Sequence, residues 1–210
     1  VPGAGGWVGA EICRQIATFR PARLVLFDIS EAALYEIRTA LGDEFTQLPM
    51  VTVVGDVKHA ALVEDVLERE KPNVVFHAAA YKHVPLMEET NAWQAVRNNA
   101  YGTWVIARAS VAAKVEKFVL VSTDKAVNPT SVMGASKRLA EIVCQTLQGG
   151  GTAFVVVRFG NVFGSAGSVI PRFREQIARG GPVTVTHPEI TRFFMSIAEA
   201  TQLLLQAGLQ

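Results

Sequence analysis

Cysteine is scarce in this chain: Cys13 and Cys144 are the only two, and each falls in a stretch that reads as an amphipathic helix. Two isolated thiols supply neither a disulfide framework nor a metal-ligand spacing, so a disulfide-stapled secreted scaffold is excluded and a reducing cytoplasm is the expected setting. Charge of one sign is also lacking. Twenty Lys and Arg face nineteen Asp and Glu, a net charge of +1, so no broad field draws the chain to nucleic acid or anionic lipid. Histidines stand at 59, 77, 83 and 187 without the four-residue pairing of a zinc helix, and no metal site is expected. No apolar run approaches the roughly 18 to 20 residues that cross a bilayer, and no charged-then-apolar leader opens the chain.

What is present is a core. Half of the 210 residues are apolar, enough for one full α/β domain. Short β-branched runs at 24–29, 50–54, 74–78, 118–122 and 153–159 alternate with helical-period segments near 7–19, 31–41, 59–70, 92–113 and 135–148. Such alternation predicts right-handed βαβ crossovers and a doubly wound, Rossmann-like parallel sheet buried on both faces. Val1-Pro2-Gly3 reads as the end of a strand entering a glycine turn, so the chain is expected to be a fragment whose first strand is truncated.

After Gly160 the rhythm changes to a Gly/Ser-rich loop at 164–168, a helix near 171–179, a short strand at 183–186 and a last helix near 197–207. We therefore expect a dinucleotide-binding domain over 1–160 and part of a substrate-binding lobe over 161–210.

Gly3, Gly6 and Gly9 form G-x-x-G-x-x-G between a strand end and a helix. Small residues there let the backbone turn tightly and approach a pyrophosphate at the helix N-terminus. Nineteen residues after Gly9, the next strand ends at Asp28, whose carboxylate can accept hydrogen bonds from both hydroxyls of an adenosine ribose and would repel a 2′-phosphate. That predicts NAD, although an aspartate there can also cap the following helix. Asp56 and Val57 end the next strand, and Ala78 and Ala79 the one after; ligands in such sheets lie across the carboxyl ends of strands. Lys82, just beyond, is counted with the cofactor residues.

Strand 118–122 runs out in Thr123-Asp124-Lys125, and Met133-x-x-x-Lys137 follows, with both side chains on one helix face. This layout resembles the extended short-chain dehydrogenase/reductase superfamily, whose motif there is Ser/Thr after the strand and Tyr-x-x-x-Lys on the helix. Met133 stands where the tyrosine would be. With Ser-Thr-Asp-Lys-Ala-Val-Asn-Pro at 122–129, Arg-Phe-Gly-Asn-Val-Phe-Gly-Ser at 158–165, His-Ala-Ala-Ala-Tyr-Lys-His-Val-Pro at 77–85 and Thr-His-Pro-Glu-Ile-Thr-Arg-Phe at 186–193, the chain resembles the polysaccharide-biosynthesis branch of UDP-N-acetylglucosamine 4,6-dehydratases, which carry methionine there.

That resemblance implies a lyase using NAD: oxidation at C4 of the sugar, loss of the C5 proton, departure of the C6 hydroxyl as water, and return of hydride to C6. It further implies a UDP-sugar substrate, a membrane anchor outside this chain and Asn99 bracing the strand ends; a homo-oligomer is also expected. A 4-keto group acidifies C5–H, so elimination needs one acid and one base. Thr123 with Asp124 can relay the C4 hydroxyl proton, Asp124 with a raised pKa is the expected acid, and Lys125 with a lowered pKa is the expected base. Lys137 is expected on the nicotinamide ribose and Met133 as a spacer. His83, Glu88, Asn161, Ser168, Arg172, Thr184 and Arg192 are the candidate substrate contacts, Arg192 first for phosphate because its planar fork donates two parallel bonds. A 4-epimerase or reductase would share the fold and NAD but would want the tyrosine; a nucleotide-binding module without catalysis would not need the Thr-Asp-Lys cluster.

Overall fold

The computed structural model describes residues 1–164, 169–185 and 187–209. Helix α1, Trp7–Thr18, starts from Gly6, which provides no side-chain cap, and turns Ile12, Cys13 and Ala17 inward at helical spacing. Strand β1 (Leu24–Asp28) follows, then α2 (Glu31–Glu44), whose N-terminus is capped by Ser30 Oγ accepting from Ala33 N. β2 (Met50–Val54), α3 (Ala60–Glu70) and β3 (Val74–His77) complete the first half.

β1 and β2 pair in parallel. The second half is the parallel ladder β3, β4 (Lys117–Thr123) and β5 (Ala153–Phe159). Val1 and Pro2 join the two ladders: Phe27 N donates to Val1 O at 3.1 Å and Ala78 N to Pro2 O at 2.8 Å. The order across the sheet is therefore β2, β1, residues 1–2, β3, β4, β5, with strand order reversing beside Pro2, where a doubly wound sheet opens its ligand crevice.

Alternation along β4 shows why the sheet needs helices on both sides. Phe118 and Leu120 pack into one cluster with Val63, Val66 and Ile106, while Val119 joins Ile12, Phe76 and Leu204 on the other face. All three β4 side chains are fully buried, each worth about 1.5–3 kcal/mol.

The helix expected over 92–113 is in three parts: α5 (Ala92–Ala95), a π-helical turn (Val96–Tyr101) and α6 (Gly102–Ala112), preceded by a short α4 (Val84–Met87) that no sequence signal marked. α7, Val132–Thr146, begins earlier than expected because Ser131 Oγ accepts from Gly134 N at 3.1 Å. After β5 come β6 (Asn161–Val162), α8 (Val169–Ala178), β7 (Phe194–Met195) and α9 (Ile197–Leu209). Residues 183–185 form no strand, contrary to expectation, and Thr186 lies outside the described residues. Instead β6 pairs with β7 in parallel. α9 buries Ala200, Thr201 and Leu204 against α1 and the sheet. Among the described residues no helix is long and apolar enough to cross a membrane, and no His/Cys/Asp/Glu group could hold a metal ion.

Candidate active site

The glycine turn is a cradle in which side chains have no room. Gly3 takes φ +84°, and a Cβ on it would lie 2.4 Å from Ala79 N; one on Gly9 would lie 1.8 Å from Gly3 O. Helix α1 and the end of β3 can approach this closely only without Cβ atoms. Gly6 sits at the helix start. Gly5, which the spacing pattern did not single out, is tied down by Asp28: its N–H donates to Oδ2 at 2.9 Å, and a Cβ would lie 2.5 Å from Ala33 Cβ. The other Asp28 oxygen accepts from Ser30 N at 3.0 Å. Asp28 therefore fastens the glycine turn to β1 and the start of α2, while Ser30 provides the helix cap itself. Each carboxylate oxygen keeps further acceptor capacity.

Asp56, beyond β2, accepts from Lys58 N at 2.9 Å and pairs with Lys58 Nζ at 2.8 Å. Burial pushes its carboxyl up, but the Lys58 contacts outweigh this and hold it below the usual carboxylate range. Val57 is buried, Ala78 and Ala79 end β3 against residues 2–3, and Lys82 is exposed on the loop that follows. Asn99 is fully buried: Tyr81 N donates to its Oδ1 at 2.8 Å, and its Nδ2 donates to Tyr81 O at 2.9 Å and Ser136 Oγ at 3.0 Å. It braces the segment after β3 against α7.

At the end of β4, Thr123 Oγ1 donates to Asp124 Oδ1 at 3.0 Å and accepts from Lys125 N at 3.3 Å. Lys125 Nζ donates to Asp124 Oδ1 at 3.0 Å and to Asn161 Oδ1 at 2.9 Å. Partial burial pushes the Asp124 carboxyl up, yet the bonds from Lys125 and Thr123 prevail and hold it below the usual range. In this structure Asp124 is thus an ionised carboxylate beside an ammonium; the raised pKa expected of it belongs to the site covered by sugar and nicotinamide. Lys137 is buried, donates to Val121 O at 2.7 Å, and is pulled down to about 8 by burial. It is aimed at the strand backbone. Met133 is buried on the same helix. A Cβ on Gly134 would lie 2.3 Å from Lys125 O, so this glycine, which no pattern flagged, lets α7 rest on the Asp124–Lys125 backbone.

Under that corner lies Glu141, 1 % exposed, which accepts from Ser122 Oγ at 2.5 Å, Arg158 Nε at 2.8 Å and, on its other oxygen, Arg138 at 3.0 Å. It locks the end of β4 to α7 and β5. His77 is fully buried beneath β3's end, bonded to Thr103 Oγ1 at 3.0 Å and driven down to about 3 by burial.

A cavity of about 350 Å³ opens onto Asp124 and Lys125, walled by Val84, Asn128, Ser131 and Arg192. The β6–β7 pairing explains Arg192: it sits two residues before β7, which is bonded to the strand carrying Asn161. Asn128 takes φ +45°, a conformation unusual for a non-glycine residue. Of the other substrate candidates, Glu88 Oε1 accepts from Val132 N at 2.9 Å and so helps cap α7. His83 is exposed at the start of α4. Thr184 is stapled to α8, its Oγ1 accepting from Gln176 Nε2 at 2.7 Å, and Arg172 is exposed on that helix; neither lines the cavity. Ser168 lies outside the described residues. A larger cavity, about 500 Å³, lies at the opposite end of the strands among Leu24, Val25, Val74 and Val75, away from every candidate side chain.

A parallel sheet reversing at residues 1–2, a side-chain-free glycine turn and polar groups gathered at the carboxyl ends of the strands define a Rossmann-type dinucleotide-binding protein. The chain belongs to the family described as "Polysaccharide biosynthesis protein", whose model matches residues 1–210. It is 52 % identical to the capsular polysaccharide biosynthesis protein CapD of Staphylococcus aureus over 99 % of this chain and 35 % of that protein. It is 40 % identical to a UDP-glucose 4-epimerase of Rickettsia rickettsii over 73 % of this chain and 46 % of that protein. The chain thus spans about a third of CapD's length. Among solved structures, Pen from Bacillus thuringiensis superposes with a TM-score of 0.87 at 35 % identity, covering 98 % of this chain and 63 % of that one. A double mutant of DesIV, a dTDP-glucose 4,6-dehydratase from Streptomyces venezuelae with NAD and DAU bound, shares the fold with a TM-score of 0.85 at 22 % identity, covering 99 % and 71 %.

Proposed function

We propose that the chain is the catalytic core of an NAD-dependent nucleotide-sugar 4,6-dehydratase acting on UDP-N-acetylglucosamine or a close relative. The observation that carries this reading is the Thr123–Asp124–Lys125 hydrogen-bonded cluster opening onto a cavity, with Met133 where an epimerase would want tyrosine.

The cofactor fits the residues present. The N–H groups of Gly3, Ala4, Gly5 and Gly6 are bonded to β1 or within the turn, and the close Gly3–Gly9 contact leaves the start of α1 to face a pyrophosphate, while Asp28 at the end of β1 suits an unphosphorylated ribose. Lys137 and Asn99 serve the nicotinamide half, Lys137 exchanging its bond to Val121 O for ribose hydroxyls. Bound there, NAD supplies a temporary hydride acceptor for C4 and a donor for C6.

The protein handles the protons. Thr123 Oγ1, already donating to Asp124 Oδ1, relays the C4 hydroxyl proton out to solvent, from which the Asp124–Lys125 pair regains its missing proton when product leaves. Covering the Asp124–Lys125 pair with a sugar removes its water, and a desolvated ion pair is relieved when the proton crosses the 3.0 Å hydrogen bond. That transfer leaves a neutral Lys125 amine to take the C5 proton and a protonated Asp124 to release the C6 hydroxyl as water. The Lys125 ammonium so formed exchanges its protons with solvent and returns one of them to C5 as C6 is reduced. Asn161 holds the ammonium in place, and Arg192 at the cavity wall suits the diphosphate.

Incubation of the protein with NAD and UDP-N-acetylglucosamine in deuterated water tests the reading. A 4-keto-6-deoxy product with deuterium at C5 is expected. The similarity to a UDP-glucose 4-epimerase favours the second reading, and a C4 epimer without deuterium at C5 would establish it instead.

A further inference from the structure

Successive side chains on an α-helix turn by about 100°, so a helix seldom buries three residues in a row. Helix α6 does so where it is covered on most sides, with Val105, Ile106 and Ala107; the π-helical turn Val96–Tyr101 does so with Asn98, Asn99 and Ala100, two of them polar. Its wider turn faces two neighbouring amides into the protein, and single π-turns gather at functional sites. Gly102, next in the chain, lets this helix settle on the end of β2, since a Cβ there would lie 2.8 Å from Val57 Cγ2.

The two amides are joined to each other, Asn98 Nδ2 donating to Asn99 Oδ1 at 3.2 Å, and their remaining bonds run in opposite directions. Asn98 Oδ1 accepts from Lys58 Nζ at 3.3 Å, and the same ammonium pairs with Asp56 Oδ2 at 2.8 Å. Asn99 Nδ2 donates to Ser136 Oγ at 3.0 Å, and Ser136 Oγ donates to Met133 O at 2.8 Å. Ser136 is the neighbour of Lys137. Asp56 and Asp28 end the two strands of the adenosine half of the sheet, whereas Met133 and Lys137 belong to the half that faces the reaction. An unbroken line of polar contacts therefore crosses from one half of the cofactor cleft to the other, through Asn98.

We propose that Asn98, held by Lys58, is a positioning residue that fixes the catalytic helix α7 in response to occupancy of the adenosine half. This rests on the NAD reading above. A base seated against Asp56 restrains that carboxylate, and the restraint passes to Lys58, whose side chain is only 16 % exposed, then to the paired amides and to Ser136. Binding that orders a network on one side lowers the ordering left for a second ligand to supply. Cofactor thus prepares Met133 and Lys137 before the sugar nucleotide arrives.

Hydrogen–deuterium exchange of the protein with ADP, which fills the adenosine half alone, tests this. Saturating ADP should slow exchange across 133–140 in the wild type. In Asn98→Ala and in Lys58→Met, ADP should still bind, weakened by about tenfold or less as for one or two lost hydrogen bonds, but the protection of 133–140 should vanish even at saturation. A merely structural role would alter the unliganded melting temperature and leave that ADP-dependent protection in place. Persistence of protection in both variants, or its absence from the wild type while ADP protects the ends of β1 and β2, overturns the inference and leaves the NAD reading intact. If neither ADP nor NAD binds the wild type, the NAD reading fails and takes this one with it. Should Asn98→Ala not fold, Lys58→Met carries the test.

Discussion

Lys125 Nζ bridges Asp124 Oδ1 at 3.0 Å and Asn161 Oδ1 at 2.9 Å, so one ammonium ties the end of β4 to β6. Lys125→Met removes the proposed C5 base while leaving Thr123 and Asp124 in place. We expect oxidation at C4 to persist, visible as bound NADH, with C5 exchange and water loss reduced by roughly 10²–10⁴-fold. Wild-type deuterium incorporation in this variant would move the base elsewhere.

Asp124→Asn should separate the half-reactions the other way. Water loss should fall by a similar factor of roughly 10²–10⁴, while C5 exchange falls less. Equal losses in both, measured by mass spectrometry of recovered substrate and product, would show that Asp124 acts before C5 rather than at the leaving hydroxyl.

Lys137 makes stability depend on pH in a stated direction. Its folded value is pulled by burial to about 8 from the ordinary 10.5. Between those values the unfolded lysine still holds a proton that the folded one has released, so its contribution rises with pH through that window. Below pH 8 the full cost of burying the ammonium is present, on the order of 3 kcal/mol, partly offset by its bond to Val121 O. Lys137→Met should therefore melt as high as the wild type or higher at pH 7, lose that advantage toward pH 10.5, and be inactive throughout. A variant that melts well below the wild type at pH 7 contradicts this.

Glu141 is buried with Arg158 and Arg138 at its oxygens and Ser122 behind. Glu141→Ala strands these donors and frees the end of β4. Because both arginine side chains are more than a third exposed, water recovers part of the loss, and about 2–4 kcal/mol of destabilisation is expected by urea unfolding. A change under 1 kcal/mol would mean the arginines are fully rehydrated.

Gly134→Ala should impair turnover more than stability. The added Cβ meets the Lys125 carbonyl, a backbone atom, so α7 and the Asp124–Lys125 segment must separate at the proposed reacting corner. A loss of about 1–3 kcal/mol is typical of such overpacking, with the chain still folded at 25 °C. Normal turnover in a folded Gly134→Ala protein would show that this contact has slack.

Local pattern was enough to read the sheet and the cofactor cleft. The five main strands and α1 follow from periodicity and from glycines whose small size is a property of the residue itself, and Asp28 follows from its spacing to them. The Thr123–Asp124–Lys125 cluster was legible for the same reason: its members are adjacent in the chain. Protonation and partnership were decided elsewhere. Asp124 is ionised because Lys125 and Thr123 turn onto one oxygen, and Asn161 reaches Lys125 because the β4–β5 register sets Thr123 opposite Phe159, two residues before each. Thr184 and Arg172 are drawn to α8 instead. The doubled asparagine of the π-turn looks like any polar pair on a helix until an extra residue in the turn faces both inward. The sequence by itself determined which residues form strands, helices and the glycine turn, because those depend on neighbours a few positions away; only the tertiary structure decided which distant side chains meet, because hydrogen bonds and burial depend on space rather than on order along the chain.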